Sequence, residues 1–346
     1  LELIITGGNL LHCNIRPLES GAASAYVALQ QAGDTDDRQD LSAQVQTCRQ
    51  ACAGEGKRAG CGGACIFVND HADAAALRIL AEDGVHLLAL RCAGFNNVDI
   101  AEAKRLGISV TRVGDYSPHS VAEHAVALLL ALNRNIPIAH ERVLANDYRL
   151  DGLMGFDLYG KTIGIIGAGR IGAVFAGIMR GFGCSIIAYD VYPDPEFERA
   201  GARFVSLVEL AAQSDAISLH CPLTTGTKHL LGADFFAACK PGVLLVNTSR
   251  GQVLDTAAAL AALRSGHLGG LAMDVYEFEA GLFFEDHSQS ELADPLLAEL
   301  QQLPNVLITG HQGFFTREAF STICQTTIDS FTAYEKGAPL VNRIPD

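Results

Sequence analysis

Lys161-Thr-Ile-Gly-Ile-Ile-Gly167-Ala-Gly169-Arg-Ile-Gly172 decides the fold. An apolar strand runs straight into a Gly-x-Gly-x-x-Gly turn, and Val174, Phe175, Ile178 and Met179 then continue at helical spacing. Gly167 permits the tight turn, Gly169 lets the backbone approach a pyrophosphate, and Gly172 lets the helix pack closely on the strand. The helix N-terminus then faces the anion. The next strand, Ser185-Ile-Ile-Ala-Tyr189, ends in Asp190, eighteen residues past Gly172. A carboxylate there can accept hydrogen bonds from the ribose hydroxyls of a bound dinucleotide. An overlapping match, Gly155-Phe-Asp-Leu-Tyr-Gly160-Lys161-Thr162, has the spacing of a nucleotide-hydrolase phosphate loop. Context rejects it, because Lys161 and Thr162 open a strand where that loop must open a helix.

Outward from this segment, short apolar runs alternate with helix-like stretches, the rhythm of an α/β fold. The pattern predicts strands at Cys65–Val68, Leu87–Arg91, Ser109–Thr111, Thr162–Ile166, Ser185–Tyr189, Ala216–Leu219, Val243–Asn247, Gly270–Asp274 and Val306–Thr309. It also predicts a long buried helix in which Ser117 caps, Pro118 opens, and Val121, Ala125, Leu128, Leu129 and Leu132 share a face. Residues 133–159 read as a connector that keeps helical spacing only at first. Residues 31–63 are polar and rich in Gly and Ala, with little strand pattern.

A chain of 346 residues exceeds one ordinary hydrophobic core, and 49% apolar content fills two. The sum of 25 basic and 39 acidic residues is −14, which disfavours nucleic acid and anionic membrane surfaces as partners. The longest apolar run, Ala125–Leu132, has eight residues against the ~20 of a membrane span. The first residues, Leu-Glu-Leu-Ile-Ile, lack the pattern of a secretion signal, and ten dilute cysteines suit a reducing cytoplasm. Cys48, Cys52, Cys61 and Cys65 are spaced C-x3-C-x8-C-x3-C, irregular for a structural zinc site, so no metal is expected. HExxH and GxSxG are absent.

Chemistry in such folds gathers at the carboxyl ends of strands. Four strands end there in reactive groups: His220-Cys-Pro, Asn247-Thr-Ser-Arg250-Gly, Asp274-Val-Tyr-Glu-Phe-Glu279 and Thr309-Gly-His311-Gln. An Arg, a carboxylate and a His around a nicotinamide are the groups that reversible carbonyl reduction requires. His220 reads instead as a packed strand-end residue.

These blocks, with Leu90-Arg-Cys-Ala-Gly-Phe-Asn-Asn-Val-Asp99, Ser120-Val-Ala-Glu-His124, Leu282-Phe-Phe-Glu-Asp286 and Gly310-His-Gln-Gly-Phe-Phe-Thr316, resemble the D-isomer-specific 2-hydroxyacid dehydrogenases. The last two point to the lactate branch. The resemblance spans about residues 65–335, and residues 1–64 depart from it. It implies two doubly wound parallel-sheet domains, Rossmann- or flavodoxin-like, with a cleft between them. The substrate domain would comprise residues 1–115 and 312–346, the NAD domain 116–311, with crossings near Asp115 and His311–Gly313.

The resemblance further implies that Arg250 binds substrate, that Glu279 pairs with His311, and that His311 is the general acid and base. NAD contacts would come from Gly167, Gly169, Arg170, Ile171, Gly172, Asp190, Cys221, Pro222, Thr248 and Asp274. Ala93, Gly94, Phe95 and Tyr116 match positions that hold the substrate. The expected activity is reversible reduction of pyruvate to D-lactate by NADH, in a homo-oligomer, dimer or tetramer, acting on small 2-oxo and 2-hydroxy acids. A bulkier 2-oxo acid is the alternative substrate. A corepressor-like NAD sensor is the rival from another class, and intact Arg250, Glu279 and His311 argue against it.

Overall fold

The computed structural model of the chain describes residues 2–5, 26–28, 62–68, 70–289 and 292–345. Cys48, Cys52 and Cys61 lie outside these, and among the described residues no group of three or more His, Cys, Asp or Glu side chains could hold a metal. The chain divides into two compact units, Leu1–Tyr116 with Thr316–Asp346, and Ser117–Phe315.

In the first unit five parallel strands, β1 (Glu2–Ile5), β2 (Tyr26–Ala28), β3 (Gly63–Ile66), β4 (Leu87–Leu90) and β5 (Ser109–Thr111), lie in the order β2-β1-β3-β4-β5. This is a doubly wound order. Helices α1 (Ala74–Glu82), α2 (Ile100–Arg105) and the long C-terminal helix Arg317–Glu335 belong to the same unit. β3 begins two residues earlier than its apolar run suggests and stops at Ile66, because the Phe67 amide turns to donate to the Asp70 carboxylate at 2.7 Å.

The second unit starts with α3 (Pro118–Asn133), whose cap Ser117 accepts from the Ser120 amide at 3.2 Å. Val121, Ala125, Leu128, Leu129 and Leu132 are all buried, as their spacing predicts. The exposed helix α4 (Ile136–Leu144) follows. Seven parallel strands come next: β6 (Thr162–Ile166), β7 (Ser185–Tyr189), β8 (Ala202–Phe204), β9 (Ala216–Leu219), β10 (Val243–Asn247), β11 (Leu268–Met273) and β12 (Val306–Ile308). Their order is β12-β11-β10-β9-β6-β7-β8, the dinucleotide-fold arrangement whose direction reverses between β6 and β9.

Alternate residues of these strands enter two cores, one on each face of the sheet. Ile166, Ile187, Leu245 and Leu271 pack with Leu210, Phe235 and Leu260; Ile165, Ile186, Val246 and Ala272 pack with Leu129, Phe175 and Met179. Burial on both faces explains why the strands read as continuous apolar runs.

The division at Phe315 lies a few residues beyond the expected crossing near His311–Gly313. Amides of Gln312 and Gly313 are held by Asp274 of the second unit, and only at Thr316, which caps the C-terminal helix, does the chain belong to the first. Among the described residues no helix is long and apolar enough to cross a membrane.

Candidate active site

The glycine turn has the geometry its spacing predicts. Gly167 sits at φ +99°, where a Cβ would meet the Cys221 nitrogen at 2.5 Å and the His220 carbonyl carbon at 2.6 Å. A Cβ on Gly172 would come within van der Waals radii of the Gly167 carbonyl oxygen, so α5 (Arg170–Gly181) packs directly on the turn. Gly169 is different: a Cβ there would meet nothing within 4 Å, and no side chain caps the helix it opens. Open space before uncapped helical amides fits a pyrophosphate.

Asp190 lies at the end of β7 with one carboxylate oxygen on the Ala168 amide at 2.7 Å and the other on the Tyr192 amide at 3.0 Å. It therefore ties the glycine turn to the neighbouring strand end while remaining partly exposed to a ligand. Arg170 is exposed, Ile171 half-buried and Pro222 exposed along the same edge. Thr248 is buried, and its hydroxyl has no hydrogen-bond partner among the described residues. A buried hydroxyl rarely stays unpaired, so this one also fits a bound cofactor. Cys221 is buried at the end of β9, and burial pushes its thiol up to about 11.

Beside it, His220 is enclosed against Phe175, ring centroids 5.0 Å apart, with Nε2 2.9 Å from the Ser218 hydroxyl and Nδ1 without a partner among the described residues. Burial pushes its pKa down from 6.5 to about 3, so it is a neutral packing residue, as read from sequence. Between those values an unfolded chain takes up a proton that the folded one refuses, so His220 makes stability fall as pH drops through that window. His220→Gln is expected to flatten the pH dependence of the urea midpoint below ~6.5, the ordinary histidine value. An identical slope in both proteins would refute it.

At the end of β10, Asn247 shapes the loop that carries Arg250: its Oδ1 accepts from the Ser249 amide and hydroxyl, and its Nδ2 donates to the Arg250 carbonyl at 3.1 Å. The Arg250 guanidinium donates to the Ser249 carbonyl at 2.7 Å and has no carboxylate partner among the described residues. Beyond β11, Glu279 Oε2 accepts from the Tyr276 amide at 2.9 Å, and Oε1 lies 3.0 Å from Nδ1 of His311. Both side chains are mostly buried, and the Phe284 ring centroid stands 5.7 Å from the imidazole. Arg250, Glu279 and His311 thus follow three adjacent strands, β10, β11 and β12, at one edge of the sheet.

Asp274 is buried and bonded to the loop after β12. Burial works to raise its carboxyl, but hydrogen bonds from His124, Thr309 and the amides of Gln312 and Gly313 overcome this and hold it below the usual carboxylate range. Sequence reading missed His124 and Thr309 here, although the block Ser120–His124 drew attention to the helix. It also missed His229, whose Nε2 lies 2.5 Å from Glu277 Oε1.

Ala93, Gly94, Phe95 and Tyr116 belong to the first unit. Arg112 holds the 93–95 loop, donating to the Ala93 carbonyl at 2.9 Å and lying 5.4 Å over the Phe95 ring, while the Cys92 thiol donates to the Gly94 carbonyl.

A model of the D-isomer specific 2-hydroxyacid dehydrogenase family, its NAD binding domain, matches residues 126–313. The D-lactate dehydrogenase of Escherichia coli K12 is 47% identical over 285 residues, 82% of this chain and 87% of its own. This chain belongs to that dehydrogenase family. It is an NAD-dependent oxidoreductase of the D-2-hydroxyacid class. Among solved structures, the pyruvate reductase of Chlamydomonas reinhardtii superposes with a TM-score of 0.78 at 45% identity, covering 82% of this dehydrogenase and 86% of that chain. The Aquifex aeolicus D-lactate dehydrogenase, solved with NAD and lactic acid, gives 0.75 at 32% identity, covering 82% and 87%.

Proposed function

We propose that this dehydrogenase reduces pyruvate to D-lactate, reversibly, with Arg250, Glu279 and His311 as its reacting groups. The observation that carries the reading is the His311–Glu279 contact at 3.0 Å beside an Arg250 that has no carboxylate partner among the described residues. Bound NADH supplies the hydride for C2 of the 2-oxo acid. The Arg250 fork holds the substrate carboxylate and polarises the carbonyl. His311 turns Nδ1 to Glu279, so Nε2 is the nitrogen that gives its proton to the carbonyl oxygen and takes it back in the reverse direction. Substrate contacts are assigned also to Ala93, Gly94, Phe95 and Tyr116, and the family resemblance supports reading Leu1–Tyr116 with Thr316–Asp346 as the substrate domain.

NADH oxidation across a panel of 2-oxo acids, with chiral analysis of the product, tests this reading. Pyruvate should be best and 2-oxobutyrate weaker, since Phe314 and Phe315 match residues near the family's substrate pocket and each methylene refused costs ~1–3 kcal/mol. An L product, or phenylpyruvate reduced faster than pyruvate, overturns the assignment.

The reductive direction needs the imidazolium, so turnover should fall on the alkaline side as His311 loses its proton. Glu279→Gln should lower turnover and change its pH profile, because an amide cannot hold the imidazole as the carboxylate does. An unchanged profile removes Glu279 from the mechanism. NADH should be strongly preferred to NADPH because Asp190 repels a 2′-phosphate and Val191, Tyr192 and Pro193 bring no cation. Asp190→Ala should narrow the gap in kcat/KM between the cofactors, and a gap as wide as in wild type counts against the role.

A further inference from the structure

Besides its own local bonds, the loop that presents His311 is held by one buried carboxylate and by a histidine from a helix far away in the chain. Asp274 Oδ1 accepts from the Thr309 hydroxyl at 2.6 Å and the Gln312 amide at 2.8 Å, and Oδ2 accepts from the Gly313 amide at 2.7 Å. The Asp274 main-chain carbonyl accepts from the His311 amide at 2.7 Å. His311 itself lies at φ +54°, a left-handed conformation that non-glycine residues seldom adopt and that persists only where the surroundings impose it. There the Asp274 carbonyl and carboxylate bond the amides of His311, Gln312 and Gly313.

His124 completes the hub from α3. Its Nε2 stands 3.2 Å from Asp274 Oδ1 and 3.2 Å from the Thr309 hydroxyl oxygen, and the side chain is 18% exposed. Thr309 spends its single proton on Asp274, and an ionised carboxylate only accepts, so Nε2 must carry the hydrogen that both oxygens receive. A Cβ on Gly313 would lie 3.0 Å from Asp274 Oδ2 and 3.3 Å from His124 Cδ2, so a larger residue there would press on the hub. With three donors on Oδ1, Asp274 keeps spare acceptor capacity only on Oδ2, which limits the cofactor contact expected of it from sequence.

We propose that His124 is a positioning residue for the reaction: by donating from Nε2 to Asp274 and Thr309, it fixes the 309–313 loop and so holds the His311 imidazole against Glu279. The proposal rests on His311 being the proton donor. The ionisable side chains that hydrogen-bond to the two imidazoles are Glu279 and Asp274.

The test compares full-length wild type with His124→Leu, His124→Gln, Thr309→Val and His311→Asn, by steady-state kinetics with pyruvate and by NMR titration of the His311 imidazole in the ligand-free protein. His124→Leu should lower kcat about ten- to a hundredfold, the scale of a small misplacement of a reacting group. KM for NADH should stay unchanged. The pH profile of turnover and the His311 imidazole titration should both depart from wild type, because the imidazole loses its hold on Glu279. His124→Gln, whose amide offers a donor near the Nε2 position, should restore both. A midpoint at the wild-type value beside a lowered kcat overturns the proposal. A lower melting temperature with wild-type kcat, pH profile and midpoint also overturns it. If His124→Leu does not fold, Thr309→Val, which deletes the hub hydroxyl at nearly constant volume, is read by the same criteria. Persistent turnover in His311→Asn would defeat the assignment of His311 itself. Loss of turnover there, with a wild-type-like His124→Leu, defeats only the role of His124.

Discussion

Arg250→Lys is expected to lower kcat/KM for pyruvate by two to three orders of magnitude with the positive charge retained. The guanidinium presents a planar fork that meets a carboxylate with two parallel N–H bonds, and an ammonium on a flexible stem meets it as a point charge. Charge-assisted hydrogen bonds contribute about 1.5–3 kcal/mol each, and losing the pair's geometry in a water-poor site corresponds to roughly a hundred- to a thousandfold in rate. The fold should survive, because most of the loop's bonds at this position are main-chain: Asn247 Nδ2 and the Val253 amide both donate to the Arg250 carbonyl, which lysine keeps. Unfolding curves that coincide with wild type, beside a collapse of turnover, are the predicted pair of results. Near-wild-type turnover means that the substrate carboxylate binds elsewhere.

The neighbouring residue should fail for the opposite reason. Gly251→Ala adds one methyl group, and that carbon would overlap the Tyr276 carbonyl, with the Glu277 nitrogen close behind. These are backbone atoms in a segment with little freedom to retreat. Tyr276 is 2% exposed and its hydroxyl donates to Asp294 at 2.7 Å, while Glu277 accepts from the Thr256 amide and pairs with His229. Overpacking against fixed backbone costs about 3 kcal/mol or more. The variant should melt well below wild type and lose activity, because the loops bearing Arg250 and Glu279 meet at this contact. A melting temperature equal to wild type would show that the Tyr276–Glu277 segment yields.

What the sequence made legible was whatever depends on neighbours in the chain. The strand–turn–helix at 161–179, Asp190 after β7, and the capped helix α3 each carry their own signal, because turn sterics and helical periodicity are local. β1, β2 and β8 were not predicted, and β11 was given too late a start. β8 is only Ala-Arg-Phe at the sheet edge, too short to show alternation. β11 begins at Leu268 rather than Gly270, and the glycines that disguise its start are required by packing: a Cβ on Gly269 would crowd the Gly242 carbonyl oxygen. The His124–Asp274 contact joins residues 150 apart, and no pattern in either segment announces the other. The site residues stood out only because strand ends are where this class of fold keeps its chemistry. What holds them in place did not.

The buried thiols have a consequence for how this enzyme meets electrophiles. Burial pushes Cys65 and Cys239 up to about 12 and Cys221 up to about 11. Only the deprotonated sulfur attacks alkylating agents or peroxide, so burial holds these thiols in the unreactive protonated form at neutral pH. Cys221 is buried with its amide nitrogen against the Gly167 turn, so modification of its sulfur would disturb that turn. Iodoacetamide should therefore inactivate the native enzyme slowly. Partial unfolding, which returns these sulfurs toward their ordinary ~8.5, should make alkylation a sensitive reporter of local opening in the sheet.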